Sequence, residues 1–295
     1  MRIKSTLENY AFVLPAVAIF SVFYIIPFIW VFQLGLYEWD GISLTRVFVG
    51  LANFKEIFFQ DASWWQAMGN AGYITLIALT FQNILAFMLA WACDREIRMK
   101  NWYRLIFFIP PILSEIVVGM VGRFIINDID GANIINRMLI QVGLSNLAHN
   151  WLSDPKTVLT TVAIVHCWKG FGWGFLIFLA GLQTIPRELY EAARVDGANA
   201  WQSFRKITVP LMLPVIVLVG ILTVLGSMQV FALIIGLVAG EFAGHTSVPV
   251  LRILASMRGS SRFGYACAQG VTFGLVLVAI SFIQYRFSVK VKTRE

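Results

Sequence analysis

An all-α membrane protein with about six transmembrane helices is the fold class this sequence predicts, and three observations predict it. Apolar residues make up 58% of 295 positions and charged residues only 13%, where soluble domains average roughly 45–50% and about 25%. Four runs of bilayer length carry no charge, residues 9–37, 62–93, 207–240 and 263–285. The remaining Lys and Arg gather in the short connections between apolar runs.

A hydrocarbon core about 30 Å thick needs about 20 helical residues at 1.5 Å rise each. Two further apolar stretches hold isolated ionisable groups. Residues 105–127 contain Glu115 and Arg123, and residues 157–186 contain His166 and Lys169. The expected spans are 10–33, 69–92, 105–126, 158–182, 209–235 and 267–289. Ala16-Val17-Ala18 resembles a leader cleavage site, but it comes too early in an apolar run that continues far beyond it. The expectation is an uncleaved first helix. Cys93, Cys167 and Cys267 are scattered, with no metal-ligand spacing, and read as small apolar residues in helices. His166 reads as a packed or hydrogen-bonded residue.

The positive-inside rule sets the orientation. With the N-terminus in the cytoplasm, inner positions hold Arg2, Lys4, Arg95, Arg98, Lys100, Arg104, Arg187, Arg194, Arg205, Lys206, Arg286, Lys290, Lys292 and Arg294. The outer connections hold Arg46, Lys55, Arg137, Lys156, Arg252, Arg258 and Arg262. This two-to-one bias predicts both termini inside. It also accounts for the net charge of +7 through anionic lipid rather than nucleic acid. The expected division is 1–66, an N-terminal segment with the first span and an outer loop, and 67–290, a transmembrane domain with a cytoplasmic loop at 186–210.

That loop is the most informative part of the chain. Pro186 suits a helix start, and Glu188 and Glu191 sit where the helix dipole favours anions. Gly197 ends the helix with a sharp turn. A second short helix follows, with Trp201 and Phe204 three residues apart on one face. Pro210 opens the next span. The pattern Glu191-Ala192-Ala193, Gly197, Ile207 and Val209-Pro210 resembles the EAA motif of binding-protein-dependent ABC importer permeases, with Val209 where Leu is usual. Residues 48–54, 165–170, 178–183 and 263–266 resemble signatures of its carbohydrate-uptake branch. Among these the chain looks most like the sugar and glycerol-phosphate permease subunits of the F/A type.

The resemblance covers nearly the whole chain and implies the type I ABC importer permease fold in a bacterial-type cytoplasmic (inner) membrane. It implies a heterodimer with a second permease subunit of the G/E type, two copies of an ABC ATPase subunit, and an extracytoplasmic sugar-binding protein. The loop becomes the coupling helix that docks on the ATPase, through Glu191, Ala192, Ala193, Arg194, Asp196, Gly197, Trp201 and Phe204. No Gly-Lys-Ser/Thr phosphate loop occurs in the chain, so ATP and Mg are expected on the partner ATPase, and this chain is not expected to be an enzyme.

The substrate path is sought among polar groups within the spans, which are costly there. Glu115, Gly119 and Gly122 share one helix face. Glu115 either accepts sugar hydroxyls in a solvated cavity or lies near the outer end of the span's packing interface and pairs with a neighbouring Arg. Arg123 is placed to snorkel. Lys169 precedes Gly170, Gly172 and Gly174, which are expected to loosen its helix and admit water or a partner carboxylate. Asn70, Tyr73, Gln82, Asn83 and Gln229 offer neutral hydrogen bonds, and Trp168 and Trp173 offer aromatic faces. The path candidates are Glu115, Gly119, Trp168, Lys169, Trp173, Gln82, Asn83 and Gln229. The competing functions are import of glycerol phosphate or a polyol, an ion-coupled secondary transporter, and a membrane scaffold.

Overall fold

The computed structural model describes residues 12–94, 100–126, 133–238 and 244–292. The start of the first expected span and the orientation residues Arg2, Lys4, Arg95, Arg98 and Arg294 lie outside the described residues. The side chains of Lys100, Lys290 and Lys292 lie outside them as well.

Among the described residues, five helices are long and apolar enough to cross a bilayer. They are α1 (Phe12–Leu34), α3 (Ala62–Asp94), α7 (Val158–Leu182), α9 (Ala200–Met228) and α12 (Phe263–Lys292). The pair α4 (Lys100–Ile112) and α5 (Glu115–Ile126) makes a sixth crossing when counted together. The shorter helices are α2 (Ala52–Phe59), α6 (Ile134–Gln141), α8 (Arg187–Val195), α10 (Ala232–Val238) and α11 (Pro249–Arg258). One hairpin pairs β1 (Tyr37–Glu38) antiparallel to β2 (Val47–Phe48), with Tyr37 opposite Phe48.

Two compact units emerge. The first takes residues up to 64 together with 250–277. No residue from Ser21 to Leu34 of α1 is buried, which suits a helix whose solvent is lipid. Asn53 explains the signature at 48–54. Its buried amide donates to the carbonyls of Gly35 (2.9 Å) and Tyr37 (3.0 Å), clamping the end of α1 to α2. Gly264 explains the one at 263–266, because a Cβ there would collide with the Tyr37 carbonyl. Tyr265 OH donates to Asp61 (2.7 Å), and Arg262 reaches both oxygens of Glu56 at 2.7 and 2.6 Å. Asp61 also accepts from the Trp64 N–H (2.9 Å) and faces Arg252 at 3.9 Å.

The second unit takes residues 65–249 and 278 onward. Helix α7 is its hub, and glycine permits the packing. Gly174 lies against Ala86 of α3 and Val219 of α9, and Gly181 against Val215 and Met212 of α9. A Cβ on Gly172 would strike the Phe107 carbonyl of α4. The core consists of Phe171, Phe175, Phe178, Leu182, Ala86, Ala90, Met212 and Val219. The expectation that residues 170–174 loosen the helix is therefore corrected. Helix α7 runs unbroken through 25 residues, and its glycines admit neighbouring helices.

Two other expectations change. The third span is not continuous, since α4 and α5 meet at a 96° bend. Pro110 and Pro111 lie inside the last turn of α4, which continues to Ile112, and the break follows at Leu113 and Ser114. Glu115 thus opens α5 at the break. The fifth span does not begin at Pro210, because α9 starts at Ala200 and passes Pro210 after a widened turn over Phe204–Thr208. It ends at Met228, and α10 follows a break that includes Gln229. The cysteines sit buried in helices with no disulfide.

Candidate functional site

Two regions of the second unit hold most of the residues that the sequence singles out. The first is the loop after α7. Pro186 caps α8, whose N-terminal turn holds Glu188. The helix ends in a paired carbonyl cap. The Ala198 N–H donates to the Ala193 carbonyl (2.8 Å) and the Gly197 N–H to that of Arg194 (3.0 Å). This geometry places Gly197 at φ +78°, a conformation that glycine adopts freely. Asn199 and Gln202 then form a capping box that starts α9, with reciprocal bonds of 2.8 and 2.9 Å. The sequence signal, Asn followed three residues later by Gln, was missed although it is a known helix start.

Glu191, Ala192, Arg194, Asp196, Gly197 and Trp201 are exposed, while Ala193 and Phe204 are half-buried. Trp201 and Phe204 stack at 5.4 Å, so the expected shared face is present. Phe204 then turns inward, 5.0 Å from the Trp91 ring and 6.0 Å from Phe87. Phe87 meets Phe178 of α7 edge-on at 5.2 Å. Tyr190 OH and Thr208 Oγ1 are 2.9 Å apart, tying α8 to α9. An unbroken line of rings thus runs from the exposed loop to the hub helix.

The second region is a cavity of about 320 Å³ between α3, α5, α7 and α9. Lys169 Nζ lies 3.7 Å from Glu115 Oε1 across it. His166 Nε2 is 3.0 Å from Ser227 Oγ, so the hydrogen-bonded reading of His166 holds. Gln82, Trp173 and Thr223 complete the polar lining, with Ile177, Val219 and Leu222 as apolar wall. The Gln82 Oε1 is buried and has no hydrogen-bond partner.

The cavity brings together Gln82, Glu115, Lys169 and Trp173 of the path candidates. Asn83 stands one step behind, its Oδ1 accepting from Thr223 Oγ1 at 3.0 Å. Gly119 is used for packing, since a Cβ there would lie 2.5 Å from the Leu233 carbonyl of α10. Trp168 and Gln229 are exposed and outside the lining. Asn70 is spent on the carbonyls of Gly244, His245 and Ser247, and Tyr73 OH lies 2.9 Å from Thr160 Oγ1. Sequence reasoning missed His166, Thr223 and Ser227 as lining. Helical spacing was the available signal. Residues 166, 169, 170, 173, 174 and 177 form one stripe, and residues 219, 222, 223, 226 and 227 form another.

Comparison with known proteins completes the description. A family model described as "Binding-protein-dependent transport system inner membrane component" matches residues 13–293. The chain is 30% identical over 281 residues to the probable ABC transporter permease protein YurN of Bacillus subtilis, covering 94% of each chain. It is 27% identical to the lactose transport system permease protein LacF of Rhizobium radiobacter, covering 96% of each. A bacterial alginate ABC transporter, solved with an alginate pentasaccharide-bound periplasmic protein, has a chain of the same fold. Its TM-score is 0.79 at 24% identity, over 98% of this chain and 96% of that one.

Proposed function

From the premise that this chain belongs to the family of binding-protein-dependent transport system inner membrane components, we propose that it forms half of the translocation path of an ABC importer for a sugar or oligosaccharide. Relatives named for lactose, arabinooligosaccharides and multiple sugars, each matched over nearly the whole chain, support the cargo class. The observation that carries the reading is the polar cavity between α3, α5, α7 and α9, linked by packed rings to the exposed loop at 186–210. A second permease subunit of the G/E type supplies the other half of the path. Two ABC ATPase subunits bind ATP and Mg and take up the exposed face of α8 and the Trp201 side chain. An extracytoplasmic sugar-binding protein delivers cargo. The chain lies in a bacterial cytoplasmic membrane with both termini inside.

In this reading ATP-driven closure of the ATPase pair moves α8. Phe204 passes that movement to Phe87 and Phe178, and so to the helix bearing Lys169. The cavity's neutral donors and acceptors suit hydroxyl groups, and Trp173 offers an apolar ring to a sugar face. The test is reconstitution of the four-subunit transporter with its binding protein in sealed vesicles. Saccharide uptake should require ATP and persist when an uncoupler collapses the ion gradients. Uptake that stops with the uncoupler and proceeds without the ATPase would establish a secondary transporter instead.

A further inference from the structure

We infer that the Glu115–Lys169 pair is a charge filter that sets this cavity for neutral saccharides, with Glu115 as its specificity-determining residue. This rests on the reading of the cavity as the sugar path. The two members of the pair differ in access. The Lys169 side chain is 12% exposed and that of Glu115 is 39% exposed. An entering molecule therefore meets the carboxylate, with the ammonium held behind it at 3.7 Å. Lys169 is the one Lys or Arg in the lining, and Glu115 the one carboxylate. An anionic cargo gains no free cation and faces a like charge at the cavity wall.

The remaining lining agrees. Gln82 Oε1 is an acceptor without a donor. Thr223 and Ser227 add neutral hydroxyls. The position of Glu115 also matters. It is the first residue of α5, at the 96° bend between α4 and α5, and its carboxylate faces Lys169 of α7. A continuous helix would place this residue at mid-span. The competing account is purely structural, with the pair only fastening α5 to α7. That account predicts a stability change with no change in which ligand is preferred.

The experiment uses the assembled transporter without its binding protein, in lipid nanodiscs, titrated calorimetrically with maltotriose and with trigalacturonate. Wild type should take maltotriose in clear preference. Glu115→Gln should raise trigalacturonate affinity at least about tenfold while leaving maltotriose affinity within about threefold. Adding Lys169→Gln should remove only the part of that gain due to the freed ammonium, leaving the two trisaccharides bound nearly equally. If Glu115→Gln does not assemble, the double variant decides alone, because it leaves no lone charge. Its discrimination between the two trisaccharides must then collapse toward unity. Unchanged discrimination in the single and double variants overturns the filter and leaves the sugar path standing. Wild type that binds neither trisaccharide counts against the sugar path, and with it the filter.

Discussion

The ring of Phe204, in the first turns of α9, lies 5.0 Å from the ring of Trp91 near the end of α3. A residue whose sequence position suggests an exposed knob is therefore half inside the protein. Its neighbour Trp201 remains 65% exposed. The two stacked rings separate two roles. Phe204→Ala should lower stability by about 2 kcal/mol, below the ~3–5 kcal/mol of a fully buried phenylalanine. It should also uncouple ATP hydrolysis from uptake while leaving ATPase binding intact. Trp201→Ala should leave the unfolding midpoint nearly unchanged and weaken co-purification of the ATPase subunit. Thermal unfolding and pull-down on both variants check the division, and identical behaviour of the two would sink it.

Gly197 is the second position where the loop's geometry makes a sharp demand. Its φ of +78° closes the two carbonyl caps of α8. Nothing lies within 4 Å of where its Cβ would be, so any cost of substitution comes from backbone conformation alone. Gly197→Ala should destabilise the cap by about 1 kcal/mol, and Gly197→Asn by less, because asparagine tolerates this region. ATPase association should follow the order Gly, Asn, Ala. Equal loss in both variants would show that the glycine is read by a partner rather than by its own backbone.

These two residues also show what was legible in the sequence. The loop could be read almost residue by residue, since capping and turn chemistry are local and Pro186, Gly197 and the Trp201–Phe204 spacing state them directly. The direction in which Phe204 points is a matter of tertiary packing, and no local signal separates it from Trp201. The spans were legible from apolar run length, but their ends and breaks were not. Pro110-Pro111 was in plain view, yet a run-length argument does not ask where a helix bends. The Lys169–Glu115 pairing needed the bend as well, because residues 54 positions apart meet only after α5 turns back toward α7. Glu115 and Lys169 could be singled out as costly charges, but their partnership could not.

Gly119 and Gly236 face each other where α5 crosses α10. A Cβ on Gly119 would lie 2.5 Å from the Leu233 carbonyl and 2.9 Å from the Gly236 Cα. Both obstacles are backbone and cannot rotate away. Gly119→Ala should cost about 1–3 kcal/mol by overpacking and reduce the amount of assembled transporter. Gly72→Ala in α3 is the control. Its Cβ meets nothing within 4 Å, and the gain in helix propensity makes it neutral or slightly stabilising. Equal yields and unfolding midpoints for the two variants would count against the close crossing.

The connection before α3 supplies a prediction for pH. Burial pushes the Asp61 carboxyl up. Hydrogen bonds from Ser63, Tyr265 and the Trp64 N–H, together with the Arg252 charge, outweigh it and hold the group below the usual carboxylate range. Asp40, in the loop between β1 and β2, is held at about 2 by the Ser43 hydroxyl and by the Ser43 and Ile42 N–H groups. Both pKa values are depressed on folding, so both contributions are complete above the unfolded value of about 3.9. They are lost as pH falls through the folded values. Stability should therefore be flat from neutrality to about pH 5 and fall steeply below about pH 4. Asp61→Asn should lower stability at neutral pH and flatten the fall, since the group that titrates is gone while one oxygen still accepts. Unfolding midpoints of wild type and Asp61→Asn across this range give the test, and parallel curves for the two would remove Asp61 from the account.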